Sequence, residues 1–143
     1  MYLWDSNVLR HFGGNHANIN EHLRRVSWKE IALPSVVLAE ALRGRCDFAL
    51  KATPEQVAFA HQELLKLRQL LQTFAILSFD SASATIFAQL LKQHQSRKRY
   101  ADLMIAALAK AGQHIVVTRN TKDFADLLPK AQLQNWLDDL PTN

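Results

Sequence analysis

The sequence predicts an α/β protein, a three-layer α/β/α sandwich around a central, mainly parallel, five-stranded sheet. Three observations lead there. Short apolar runs of strand type alternate with longer stretches of helical period along the chain. Such alternation implies crossover connections, and crossovers imply parallel strands. Polar residues with capping chemistry directly follow the first and fourth runs, where a strand would hand over to a helix.

The elements follow in order. Met1 to Trp4 reads as a short buried strand, and Asp5-Ser6-Asn7 offers caps to a helix starting near Val8 that Gly13-Gly14 stops. Ile19, Leu23 and Val26 share one helical face. Ile31-Ala32-Leu33 is a second strand. Pro34-Ser35 opens the next helix, and Gly44 is placed to end it. Thr53-Pro54-Glu55-Gln56 forms a capping-box signature before a helix whose stripe is Val57, Leu64, Leu67, Leu71 and Phe74. That stripe reads as core first and a dimer face second. Ile76 to Phe79 is a third strand, with Asp80 or Ser81 capping a helix that carries Ala84, Phe87, Leu90 and Leu91. After a basic stretch, Lys92 to Arg99, a helix runs from about Tyr100 to Ala111 and ends at Gly112. Ile115-Val116-Val117 is the fourth strand, closed by Thr118-Arg119-Asn120, and Leu133 to Trp136 is the fifth.

The 143 residues suit one domain, 1–143, with a sizeable core. There are no repeats, low-complexity segments or linkers. With 48% hydrophobic and 21% charged residues the composition is that of a globular protein. Seventeen basic against thirteen acidic residues give a net charge of +4, which suits a polyanionic partner without establishing one. The lone Cys46 excludes an intramolecular disulfide and a cysteine-based zinc site, and a reducing cytoplasm is the simplest setting. Asp5 interrupts the first apolar run, which is not that of a signal peptide, and no apolar stretch is long enough to span a bilayer.

Three carboxylates stand where charge is least easily accommodated. Asp5 ends Tyr2-Leu3-Trp4, Glu40 sits inside Val36-Val37-Leu38-Ala39-Glu40-Ala41-Leu42, and Asp102 opens Leu103-Met104-Ile105-Ala106-Ala107. Each has an ordinary reading: Asp5 as a helix cap, Glu40 as a surface residue, Asp102 as a first-turn acid favoured by the helix dipole. Brought together, they would repel unless protonated or bound to a cation, and oxygen-only ligands favour Mg²⁺ or Mn²⁺. In open parallel sheets the functional crevice lies beyond the carboxyl ends of the strands. Asp5 and Thr118-Arg119-Asn120 are both at such ends.

Four segments together resemble PIN-domain ribonucleases, and more narrowly the VapC-type toxins of bacterial toxin–antitoxin pairs. Tyr2-Leu3-Trp4-Asp5-Ser6-Asn7-Val8-Leu9 resembles the family's opening strand and Asp-Thr-Asn, with Ser6 replacing Thr. Ser35 to Gly44, with Glu40 and Arg43, resembles the second acidic motif, and Tyr100-Ala-Asp102-Leu-Met-Ile-Ala-Ala the third. Val117 to Phe124 resembles the fourth, and Leu133 to Trp136 the closing strand. At the fourth acidic site, where many PIN domains carry Asp, this chain has Asn120, with Asp123 three residues on. Asp123 either curls back to supply charge or caps the turn before Phe124.

The resemblance implies Mg²⁺- or Mn²⁺-dependent endonucleolytic cleavage of RNA, with tRNA the expected target. It also implies a homodimer and a VapB-type antitoxin partner, in an assembly that can be larger still. Asp5, Asp102 and Glu40 would hold the ion, and Glu40 would orient or deprotonate the attacking water. Asn120 and Asp123 would complete the catalytic set, while Ser6, Asn7 and Thr118 would hold the carboxylates in place. Arg43, Arg119 and Lys122 are candidate RNA contacts, as are Arg45 and Arg97-Lys98-Arg99, although a charge run is more often a solvated face. The antitoxin would occupy the acidic crevice or the groove near it, offering a basic side chain to the carboxylates. The competing readings are a haloacid-dehalogenase-like phosphatase, a housekeeping PIN nuclease of RNA processing, and a non-catalytic PIN module. The phosphatase would want a second Asp where Asn7 stands.

Overall fold

The computed structural model describes residues 1–94 and 99–143. Among the described residues the chain forms five strands and seven α-helices. These are β1 (Tyr2–Trp4), α1 (Ser6–Phe12), α2 (Ala17–Leu23), β2 (Ile31–Pro34), α3 (Ser35–Lys51), α4 (Val57–Leu71), β3 (Ala75–Leu77), α5 (Ser81–Gln93), α6 (Tyr100–Gly112), β4 (Ile115–Val117), α7 (Thr121–Phe124) and β5 (Leu133–Gln134). The strands pair in the order β3-β2-β1-β4-β5, and every pairing is parallel. The expected sandwich is present, and its sheet is parallel throughout.

Side chains alternate across a strand. Leu3 and Trp4 are both fully buried, as are Val116 and Val117, so helices cover both sheet faces. This is why the central strands read as continuous apolar runs. The chain steps from β1 to β2 to β3 on one side and then crosses to β4 on the other. The direction of winding reverses between β1 and β4, and the carboxyl ends of these strands are where such sheets place their functional crevice.

Several boundaries differ from the sequence expectation. The third helix does not stop at Gly44 but continues to Lys51. A Cβ at Gly44 would meet nothing within 4 Å, so the glycine lies on an open face and costs only its propensity. The last turns are held by packing instead, with Ala49 buried and Phe48 in edge contact with Phe59, ring centroids 6.1 Å apart. Thr53 does not cap α4. It closes a turn through the Gln56 N–H to its carbonyl, 2.9 Å, and the helix begins at Val57 without a side-chain cap. The stripe on α4 is buried only in part: Leu71 and Phe74 join the core, whereas Val57 is exposed, as are Phe59 and Leu65. Gly112 belongs to α6, and the left-handed residue beyond it is Gln113, at φ 52°. Strand β3 is shifted to Ala75–Leu77, and α5 is capped by Asp80 in a reciprocal box with Ser83. Trp136 lies outside β5, fully buried and stacked on His22 at 4.7 Å and 5°.

Candidate active site

Asp5 is the first residue after β1. Trp4 before it is fixed by edge contacts with Phe12, Phe74 and Trp136, at centroid distances of 5.2, 5.5 and 5.9 Å. The Asp5 N–H donates to the Val117 carbonyl at 3.1 Å, joining the ends of β1 and β4. Its carboxylate caps α1, accepting the Val8 N–H at 3.1 Å. Capping leaves the second carboxylate oxygen for other work, so the cap and a site role coexist. Asp5 is only 7% exposed. Burial raises its pKa, against the opposing pull of the Thr118 side chain and the Val8 and Asn7 N–H groups.

The other predicted acids arrive from three helices. Glu40, on α3, is half-buried and accepts the Ser6 hydroxyl at 3.1 Å. Asp102 lies in the first turn of α6. Its pKa is pushed up to about 6, first by burial, then by the charge of Asp123, with Asp5 and Glu40 adding to the effect and Arg99 opposing it. Carboxylates from α3, α7 and the residue after β1 therefore act on Asp102 in α6. Asp123 is one of them, through the turn of α7 in which its N–H donates to the Asn120 carbonyl at 3.0 Å. Asn120 stands at the start of α7, exposed, with its N–H on the Thr118 hydroxyl at 3.0 Å and no side-chain cap bond. Asn7 acts through its backbone, its N–H toward Asp5 and its carbonyl bonded to the His11 ring at 2.8 Å.

Among the described residues no three His, Cys, Asp or Glu side chains are drawn tightly enough to form a ready-made ligand cage. The donor set consists of carboxylate oxygens that repel one another and gain by sharing a cation. That chemistry suits an ion such as Mg²⁺, which keeps several of its own waters. The fit is one of donor chemistry, hard oxygen donors for a hard ion, and not of a preformed cage.

The basic candidates are placed differently. Arg43 borders a groove of about 770 Å³ together with Ser6, Glu40, Arg10, Arg45 and Lys66. Arg119 is held by Asp138 in a bidentate pair, Nε and Nη2 each 3.1 Å from a carboxylate oxygen. Lys122 borders a second hollow, with Thr121 and Ala125. Arg97 and Lys98 lie outside the described residues. Arg99 is anchored by Asp126 through two bonds of 3.0 Å and also donates to the Asp123 carbonyl. It thus ties α7 to the start of α6. As part of a basic run, Arg99 gives no sign of this.

A family model for the PIN domain matches residues 2–127. No curated protein sequence matches the chain. Among solved structures the chain is similar to FitAcB from Neisseria gonorrhoeae, at 27% identity over 97% of this chain and 100% of that one, with a TM-score of 0.69. It is similar to VapBC2 from Rickettsia felis bound to a promoter DNA fragment, at 26% identity over 94% and 98% of the two chains, TM-score 0.62. A toxin–antitoxin complex from Klebsiella pneumoniae shares the fold at 21% identity over 95% and 98%, TM-score 0.68.

Proposed function

The chain belongs to the PIN domain family, and on that premise we propose that it is a metal-dependent endoribonuclease, the toxin of a toxin–antitoxin pair. One observation carries the reading: Asp102 is raised to about 6 by burial and by the charges of Asp123, Asp5 and Glu40 together. A helix cap, a surface glutamate and a first-turn acid would have no reason to converge. Perturbed carboxylates gathered at a strand-end crevice are the mark of a functional site.

Asp5, Asp102 and Glu40 would hold Mg²⁺ or Mn²⁺, with Asp123 adding negative charge across the crevice. When bound, the ion supplies an acidified water and neutralises charge building on the scissile phosphate. The chain does the rest. Glu40, held by the Ser6 hydroxyl, orients the attacking water and takes its proton. Thr118 and the Val8 N–H oppose the effect of burial on Asp5, and the Val8 bond aims its carboxylate. Arg43, on the groove beside Glu40, contacts the RNA backbone on one side, and Lys122 does so on the other. Arg119, already paired with Asp138, contributes by exchanging that exposed partner for a phosphate.

The similar complexes from Neisseria, Rickettsia and Klebsiella support a cognate antitoxin, of VapB type. It would fill the crevice or the Arg43 groove and offer a cation to the carboxylates. A homodimer is the assembly expected of this reading, and the exposed Val57, Phe59 and Leu65 of α4 suit a contact surface. The expected setting is the cytoplasm, with the chain acting as a single domain. No described helix is long and apolar enough to cross a membrane.

The test is cleavage of end-labelled tRNA and of a generic single-stranded RNA, with Mg²⁺ or Mn²⁺ and with EDTA. Wild type should cut only with metal, and Asp5→Asn and Asp102→Asn should each reduce cutting by about a hundred-fold or more. Cutting that persists in EDTA, or that survives both substitutions, would overturn the assignment.

A further inference from the structure

The turn that carries Asp123 cannot hold itself in place. Helix α7 has only four residues, and no side chain caps its start. A helix so short has no stability of its own. Phe124 is buried and fixes one face of the turn to the core. One fixed point still leaves a turn free to pivot, and pivoting would swing the Asp123 side chain.

Arg99 supplies a second point. It stands immediately before α6, with its side chain only 26% exposed. Its Nη1 and Nη2 each lie 3.0 Å from a carboxylate oxygen of Asp126, two residues past α7. Nη2 also donates to the Asp123 carbonyl. That carbonyl lies in the last turn of α7, where main-chain acceptors lack helical partners and a cation is favoured. His94, at the end of α5, stands 3.6 Å from the same Asp126 carboxylate, so three parts of the chain meet there.

None of these bonds uses the Asp123 carboxylate. Arg99 forms its ion pair with Asp126 and takes only the main chain of Asp123. The acid is thus located without being neutralised. Its charge acts on Asp102 more strongly than those of Asp5 and Glu40. Asp102 lies in the first turn of the helix that Arg99 opens. Asn120, at the other end of the turn, is neutral and exposed. The negative charge that this turn offers Asp102 therefore depends on where Asp123 is held.

We infer that Arg99 is a positioning residue, which fixes the α7 turn against the start of α6 so that Asp123 and Asp102 can share an ion. The inference rests on the ribonuclease reading and adds to it a residue that acts through Asp123 and touches neither ion nor substrate. The fork of the guanidinium matters as well as its charge. A lysine has a single point of attachment and cannot span the Asp126 carboxylate and the Asp123 carbonyl in a fixed geometry.

The experiment has two readouts. One is Mn²⁺ binding, followed by loss of the free ion's electron paramagnetic resonance signal. The other is the Mn²⁺ concentration giving half-maximal cleavage of end-labelled single-stranded RNA. Wild type is compared with Arg99→Lys, Asp123→Asn, the double variant, and the control Arg24→Lys, which alters an exposed pair with Glu21. Arg99→Lys and Asp123→Asn should each weaken Mn²⁺ binding about ten-fold and raise the half-maximal concentration by a similar factor. The double variant should bind within about two-fold of Asp123→Asn alone, because one residue acts through the other. The control should match wild type. If Arg99→Lys fails to fold, Asp126→Asn, which weakens the same clamp and keeps the guanidinium, takes its place in the cycle. Losses that multiply in the double variant, or wild-type binding by the clamp variant, would overturn the role of Arg99. Equal weakening in Arg24→Lys would overturn it too. In each of these cases Mn²⁺ binding and cleavage abolished by Asp5→Asn would leave the ribonuclease standing. A wild type that neither binds Mn²⁺ nor cuts RNA with it would remove the clamp and the ribonuclease together.

Discussion

Asp102 keeps a proton in the folded chain at pH values where an ordinary aspartate has released it, because the helix buries it beside other acids. Its folded pKa, about 6, stands above the ordinary 3.8. At pH values below 3.8 the group is protonated in both folded and unfolded chains, and folding stability is unaffected. Between the two values the folded chain holds a proton that the unfolded chain releases, so stability falls as pH rises, and the full penalty applies above 6. The shift would be worth about 3 kcal/mol at most; screening of a half-exposed group reduces it to about 1 kcal/mol. Asp102→Asn should therefore raise the melting temperature in EDTA near neutral pH and leave it unchanged near about pH 3.5. Thermal scans at the two pH values check this, and a destabilised variant at neutral pH would show that the acids do not burden the fold. Asp5, raised in the same direction, should respond less simply, since Asp5→Asn also alters the cap on α1.

At the scale of elements, what is legible in the sequence depends on where each signal resides. Strands β1, β2 and β4 are readable because they are buried on both faces and must be apolar without interruption. The acids are readable for the same reason, as charge standing against that background. Gly44 misleads because a glycine marks a helix end only where the backbone turns left-handed; here Gln113 takes that conformation after α6 and Gly44 lies mid-helix. The burial of Trp136 and the anchoring of Arg99 by Asp126 are long-range facts that no local pattern carries. Because a Cβ at Gly44 meets nothing, Gly44→Ala should stabilise α3 by about 0.5–1 kcal/mol, measured by urea denaturation. A drop in stability would mean that the exposed face is occupied. Asp80→Ala removes a cap with its N–H bond from Ser83 at 2.8 Å and should cost about 1 kcal/mol in the same assay.

For the whole molecule, the proposed ion would couple folding to its own binding at the acids. Carboxylates that repel in the folded chain gain from a shared cation, so Mg²⁺ should raise the melting temperature by mass action. Differential scanning fluorimetry should show a rise that grows with Mg²⁺ concentration in wild type and is absent in Asp5→Asn/Asp102→Asn. Identical curves would place the ion elsewhere. The strand order has a further consequence, in the order of synthesis. Strand β1 is made first yet lies at the centre of the sheet, between β2 and β4. While a ribosome is still adding residues, β1 has no neighbour on its β4 side until Ile115–Val117 emerges, and Asp123 follows later still. The crevice is thus among the last features a nascent chain can assemble, so a chain broken off before β4 would carry Asp5, Glu40 and Asp102 without the means to set them against Asp123. The full set of acids would thus stand together only when nearly the whole described length had been translated.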